Sequence, residues 1–363
     1  FVCVVPCAKA ADPAAGPDIP DLIKGEELTR RNPLVIGPLG LHCGVWRPRQ
    51  GSDDYMHVRQ FEVEEAEAGS PADGVLAKGD VILGADGSGL TTVPLFDQHP
   101  ERALAAAIDD AEAKSPAVLQ LLRWRPSDDQ GVHGKTDTVK VVLETLGEYS
   151  PTAPYDCPKS KRLLRKGMKA LYGADSPGRG ALGILCLLAG DDPTSPDNAK
   201  YQAKAKEWVY RYKVSLTDEI KGGAWDVGCT LITLAEYYLK TRDEEILPTL
   251  KCYARRYADG QSWFGTTGHR WADPRPNGAP NGAMPGYGAL NSSGLHGFYG
   301  LVLAREAGVD APEVLAAVRR ADTFFSSYAF KGGIPYGEHP ASFGGKDYDY
   351  NGHCGVAGLA FAL

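Results

Sequence analysis

Four loops of this chain gather side chains able to stack on a ligand and to move protons. The first is Trp225-Asp226. The second, residues 261–273, carries Trp263, His269, Arg270, Trp271 and Asp273. The third, 287–296, carries Asn291 and His296, and the fourth, 336–350, carries Tyr336, Glu338, His339, Asp347 and Asp349. Indole and phenol faces stack on pyranose rings, and carboxylates or imidazoles exchange the protons that cleavage of a glycosidic bond requires. In that chemistry Glu338 is a candidate general acid and Asp226 or Asp349 a candidate base. Tyr336 with His339 is a candidate pair for β-elimination, and His269 and His296 complete the catalytic candidates. The competing reading is structural: Asp and His tie down glycine-rich backbone, and Trp packs over helix ends.

These loops need helices to bring them together. Periodicity predicts helices over 160–172, 179–189, 197–214, 226–240, 244–258, 289–306, 311–328 and from 352 onward. They alternate between apolar segments lined with Gly and Ala and amphipathic segments rich in charge. A helix that is apolar all round can be buried on every side, with a charged helix covering it. The loops Lys221-Gly-Gly-Ala-Trp225 and Lys331-Gly-Gly-Ile-Pro335 repeat before apolar helices. An all-α layer of helical hairpins follows as the expectation, a partial α/α toroid over 161–363 whose long loops meet at one mouth. Trp225, His269, Asn291 and Tyr336 then share that mouth.

The first part of the chain reads differently. Short strands are expected at 34–36, 43–46, 60–63, 81–85, 117–124 and 138–143, with a helix over 100–114 that has Pro in its first turn. This is an α+β module over 33–146. Three prolines in 147–160 mark a linker. Residues 11–32 read as a leader, and 1–10 as the remnant of a secretory signal with a small-x-small pattern at Ala8-Lys9-Ala10. Export, to the periplasm, cell surface or medium, is therefore expected. Leu363 lies inside an apolar helical run, so more helical hairpins are expected after it.

Composition narrows the function further. The net charge of −7 over 363 residues argues against nucleic acid as a partner. No apolar run has the length of a membrane span. Eight cysteines include no CxxC pair, and those in apolar helical runs read as buried small hydrophobes. No phosphate loop, nucleophile elbow, zinc-protease helix or DDxxD motif occurs.

Three resemblances add to this. Gly69-Ser-Pro-Ala72, Gly79-Asp-Val-Ile82 and the helix over 100–114 resemble bacterial PDZ domains, a β-sandwich or barrel with helices. The resemblance implies that Leu39, Gly40 and Leu41 form a carboxylate-binding loop for a peptide C-terminus or an envelope protein. The whole chain resembles an exported bacterial family of unknown function that joins such a module to a helical toroid. That likeness is carried by Tyr287-Gly-Ala-Leu-Asn291, Ile334-Pro-Tyr-Gly-Glu-His339 and Asn351-Gly-His-Cys-Gly355, among other segments. More distantly, 161–363 is similar to terpenoid cyclases, protein prenyltransferases, lanthionine cyclases and α/α-barrel glycosidases and lyases. Some of those toroids hold zinc, which would make Asp226, Cys229, His296, His353 and Cys354 metal ligands here. Asp226 and Cys229 have the wrong separation for the prenyltransferase set, and His353-Cys354 reverses the lanthionine cyclase order. No cofactor is therefore expected, with zinc as the alternative.

Two functions follow from the sequence. One is an enzyme, a hydrolase or lyase acting on an extracellular polysaccharide. The other is a non-catalytic envelope scaffold that binds peptides. Convergence of at least two of Asp226, His269, His296, Glu338 and His339 separates the first from the second.

Overall fold

The structure, a computed structural model, describes residues 27–47, 60–96, 99–127, 134–178, 181–190, 195–215, 218–286, 288–329, 333–337 and 351–363. The chain divides into two compact units, 1–162 and 163–363.

The first unit is a meander of six antiparallel strands in sequence order: β1 (Glu27–Ile36), β2 (Leu41–Arg47), β3 (Gln60–Ala66), β4 (Val81–Asp86), β5 (Val118–Pro126) and β6 (Gly134–Val142). One helix, α1 (Pro100–Glu112), joins β4 to β5 and packs on both. Alternate strand residues point inward, so Leu41, Phe61, Val63, Leu119 and Leu121 meet Leu104 and Ile108 of α1 in one core. The buried Asp80 carboxylate is compensated by Arg125, whose Nε and Nη2 both donate to it at 2.6 Å. Buried Lys159 is held by Asp109 and Glu112.

Two sequence expectations change here. β1 begins at Glu27, inside the segment expected as a leader, because its polar run pairs with β2 from Glu27↔Arg47 onward. The carboxylate loop expected at Leu39, Gly40 and Leu41 is a closed turn. The Leu39 and Gly40 amides both donate to the Ile36 carbonyl at 3.0 Å. The Leu39 and Leu41 side chains are wholly buried, and β2 is paired on both edges, by β1 and by β3. The Leu39 and Gly40 amides and both edges of β2, which a peptide terminus would use, are already paired.

The second unit is helical. Its elements are α2 (Pro158–Gly173), which begins in the first unit, then α3 (Leu182–Ala189), α4 (Asn198–Tyr210), α5 (Ala224–Thr241), α6 (Leu247–Gly260), α7 (Asn291–Glu306), α8 (Pro312–Ser326) and α9 (Asn351–Ala362). They form two layers. In the inner row α3 packs on α5, α5 on α7 and α7 on α9; in the outer row α4 covers α3, while α6 and α8 lie against α7 and each other. The inner helices α5 and α7 are buried on nearly every face, whereas α6 and α8 bury one stripe each, such as Leu250, Tyr253, Ala254 and Tyr257 of α6. Glycines set the spacing between neighbouring helices, both across the layers and within the inner row. A Cβ on Gly297 would lie 1.7 Å from Cζ of Tyr257, and one on Gly300 would lie 3.0 Å from Cγ of Leu231. Among the described residues no helix is long and apolar enough to cross a membrane.

Candidate active site at the starts of the inner helices

Because successive inner helices run the same way, the first turns of α5, α7 and α9 come to one end of the layer. The α7 start is the best anchored. Leu290 bridges to Thr267 on one side and Gly337 on the other. The Tyr336 carbonyl then accepts from the amides of Asn291 (2.8 Å) and Ser292 (3.3 Å), satisfying two of the donors a helix start leaves open. Beneath this turn lies a buried polar network. The Tyr257 hydroxyl donates to the Ser293 carbonyl at 2.8 Å and bonds the Thr267 hydroxyl at 2.9 Å. Burial pushes the Tyr257 phenol far above its usual range, so it stays protonated and serves as a brace.

Two imidazoles stand above that network. His296 Nδ1 donates to the Ser292 carbonyl at 2.7 Å. A carbonyl only accepts, so Nδ1 carries a proton, and in the neutral imidazole Nε2 keeps the lone pair. The Trp225 ring, from the first turn of α5, lies 5.7 Å from the His296 ring, tilted by 48°. His353, in the first turn of α9, follows the same logic. Its Nδ1 donates to the Ile334 carbonyl at 3.0 Å, and in the neutral ring its Nε2 accepts from the Ser292 hydroxyl at 2.6 Å.

The structure thus brings together Trp225, His296, His353 and the Tyr336 backbone. Asp226 is exposed in the first turn of α5, where its charge helps raise the Tyr212 phenol, a shift caused first by burial. His269 is exposed on the neighbouring loop, with its carbonyl 3.5 Å from where a Cβ on Gly223 would lie. Glu338 and His339 lie outside the described residues. Cys229 is buried in α5, its carbonyl accepting from the Thr233 hydroxyl at 3.0 Å, and Cys354 is exposed on α9. Among the described residues no three His, Cys, Asp or Glu side chains are placed to hold a metal, which corrects the zinc alternative drawn from Asp226, Cys229, His296, His353 and Cys354.

Sequence reasoning missed Ser292. Its only local signal is a pair of serines at the start of a glycine-lined helix, which reads as ordinary capping chemistry.

A family model for a domain of unknown function (DUF6288) matches residues 160–363, the part that holds this whole site. The chain belongs to the DUF6288 family. No curated protein matches it. A solved structure, the unsaturated glucuronyl hydrolase of Bacillus sp. GL1, described as responsible for the degradation of glycosaminoglycan, is similar at 15% identity and a TM-score of 0.36. The match covers 56% of this chain and 64% of that one, so it spans less than two thirds of the hydrolase. At that score the likeness says nothing about which residues of this DUF6288 member react.

Proposed function

We propose that this chain is an exported enzyme, a hydrolase or lyase, that acts on an extracellular polysaccharide at the shared end of α5, α7 and α9. One observation carries the reading: a partly exposed imidazole, His296, has its tautomer set by a backbone carbonyl and an indole at its side. In its neutral form such an imidazole presents the Nε2 lone pair to a sugar ring stacked beside it. It can take a proton from an attacking water or from a carbon next to a uronate carboxyl, and then return it to the leaving oxygen. Asp226, exposed in the first turn of α5 beside Trp225, is the second protic group we assign to that rim. Ser292 and His353 hold the start of α9 against α7 and so keep the rim in register. Export rests on the sequence pattern of residues 1–10 alone.

The test is turnover. The purified chain is incubated with a panel of neutral and uronate-bearing polysaccharides. New reducing ends report either cleavage, and ultraviolet absorbance of an unsaturated product marks elimination. Release of product that falls about 100-fold or more in His296→Gln supports the reading. Turnover unaffected by that substitution, or none across the panel, contradicts it. Chelator is expected to leave the rate unchanged.

A further inference from the structure

The loop that follows α6 carries a second feature of the same end of the layer. Of the tryptophans whose side chains are described, Trp263 alone is exposed, at 61%. Its ring is supported edge-on by Phe264 at 5.1 Å, which in turn packs on Phe324 of α8 at 5.5 Å. The turn beneath it is fixed. Ser262 donates its amide and its hydroxyl to the Thr266 carbonyl, at 2.8 and 2.7 Å. Gly265 has φ +111°, and a Cβ there would lie 2.2 Å from the Arg320 carbonyl oxygen. An exposed indole on a rigid base is costly for a surface that only meets water, and it is pre-organised for a ligand.

Two clefts share that indole in their walls. One, of about 590 Å³, is lined by Arg319, Arg320 and Phe324. The other, of about 520 Å³, is lined by Arg275 and Asp273. The charge is predominantly positive. Arg320 spends Nε on the Gln261 side-chain oxygen at 3.0 Å and reaches the Ala258 carbonyl at 3.4 Å, both neutral partners. Its basicity is lowered first by burial and then by the charges of Arg275 and Arg319, with Asp259 acting the other way. The charges of Arg275 and Arg319 both act on Arg320, Arg275 Nε donates to the Asn281 carbonyl at 3.1 Å, and among the described residues none of the three arginines forms an ion pair. An aromatic face flanked by guanidinium forks matches a ring that carries carboxylates, since the indole takes the ring face and arginine takes a carboxylate in bidentate fashion.

We infer that the shoulder around Trp263 is a binding subsite for an acidic saccharide chain, a uronate-bearing stretch of the polymer that the rim processes. It rests on the polysaccharide reading above for the identity of the polymer. The shoulder is joined to the rim, because the Thr266 hydroxyl donates to the Leu290 carbonyl at the start of α7, at 3.1 Å.

Calorimetric titration of the whole chain with short oligomers of polygalacturonate, alginate and hyaluronan, and with a neutral cello-oligosaccharide, tests this. At least one acidic oligomer binds, the neutral one binds at least about tenfold more weakly, and added salt weakens the complex. Trp263→Ala and Arg319→Gln each cost about tenfold or more in affinity, while Trp263→Phe stays close to wild type. Both positions are exposed, and matching thermal midpoints show that the variants fold. Binding of none of the acidic oligomers, equal binding of the neutral one, or affinity indifferent to Trp263→Ala overturns the inference. So does tighter Trp263-dependent binding of an acidic peptide or a DNA oligomer. Failure here is separable from failure of the enzyme reading. Trp263-dependent binding without turnover keeps the subsite and removes the reaction, and turnover with an unchanged KM in Trp263→Ala does the reverse.

Discussion

The two ends of the inner helical layer handle polar groups in opposite ways. At the end of α5, the Asp243 carboxylate takes hydroxyl hydrogens from Tyr210 at 2.9 Å and Tyr237 at 3.0 Å, and pairs with Lys206 at 3.1 Å. Burial alone would raise its pKa, but these three partners outweigh it and hold the carboxyl below its ordinary value. Tyr237 is pushed up to about 12 in return, first by burial and then by Asp243. Lys213 with Glu245 and Tyr238 with Glu244 close the same surface. At the other end, His296 and His353 are anchored by backbone carbonyls, and the Trp263 indole stands in solvent. A network in which every charge meets its opposite has nothing left to offer a ligand. His296, pinned through Nδ1, has a defined second nitrogen to use, whereas that of His353 is taken by Ser292. The contrast separates a structural end of the layer from the end proposed above to bind and react.

Substitutions should break that contrast in a graded order. Gly297→Ala has the largest effect, because its methyl would enter the Tyr257 ring and force α6 from α7 near the rim. A loss of about 3 kcal/mol or more is expected in denaturant unfolding. Asp243→Asn removes the hub of the structural end and costs about 2 kcal/mol at neutral pH, with turnover and saccharide affinity unchanged. The sign of its pH dependence is fixed by the lowered pKa. The stabilisation is complete above the ordinary value of 3.8 and disappears as pH falls through the lower folded value, so wild type and Asp243→Asn converge in acid. Tyr257→Phe strips the hydroxyl that supports Thr267 and the Ser293 carbonyl, for about 1.5 kcal/mol in the same assay. His296→Gln is the smallest in stability, within about 0.5 kcal/mol of wild type. It is the substitution that should abolish turnover, and a large stability loss there would make His296 a brace like Tyr257.

The helical layers were legible in the chain because burial writes directly into residue type. α5 and α7 carry Gly, Ala and apolar residues on all faces, while α4 and α6 interleave Lys, Arg and Glu with their buried stripes. The loops before the inner helices were legible as a group because their Gly-rich openings repeat. The Ser292–His353 pair was not, since it spans 61 residues and uses a serine that looks like a cap. The arginines around Trp263 are equally silent, because Arg275 and Arg319 come from different elements and only packing of the loop on α8 brings them beside one indole. The turn at Leu39–Leu41 misled for the opposite reason. Two leucines around a glycine look like an open binding loop, yet both side chains belong to the core of the sheet. Likewise the polar run after Glu27 has no strand pattern of its own and becomes one by pairing with β2.

The most direct test is a crystal structure of the chain with an acidic oligosaccharide bound. The expected result is a sugar ring beside Trp225 with an oxygen or ring hydrogen within hydrogen-bonding reach of His296 Nε2, and the chain of sugars running toward Trp263. A ligand seated instead at the Asp243 end, or on the sheet unit, would contradict it.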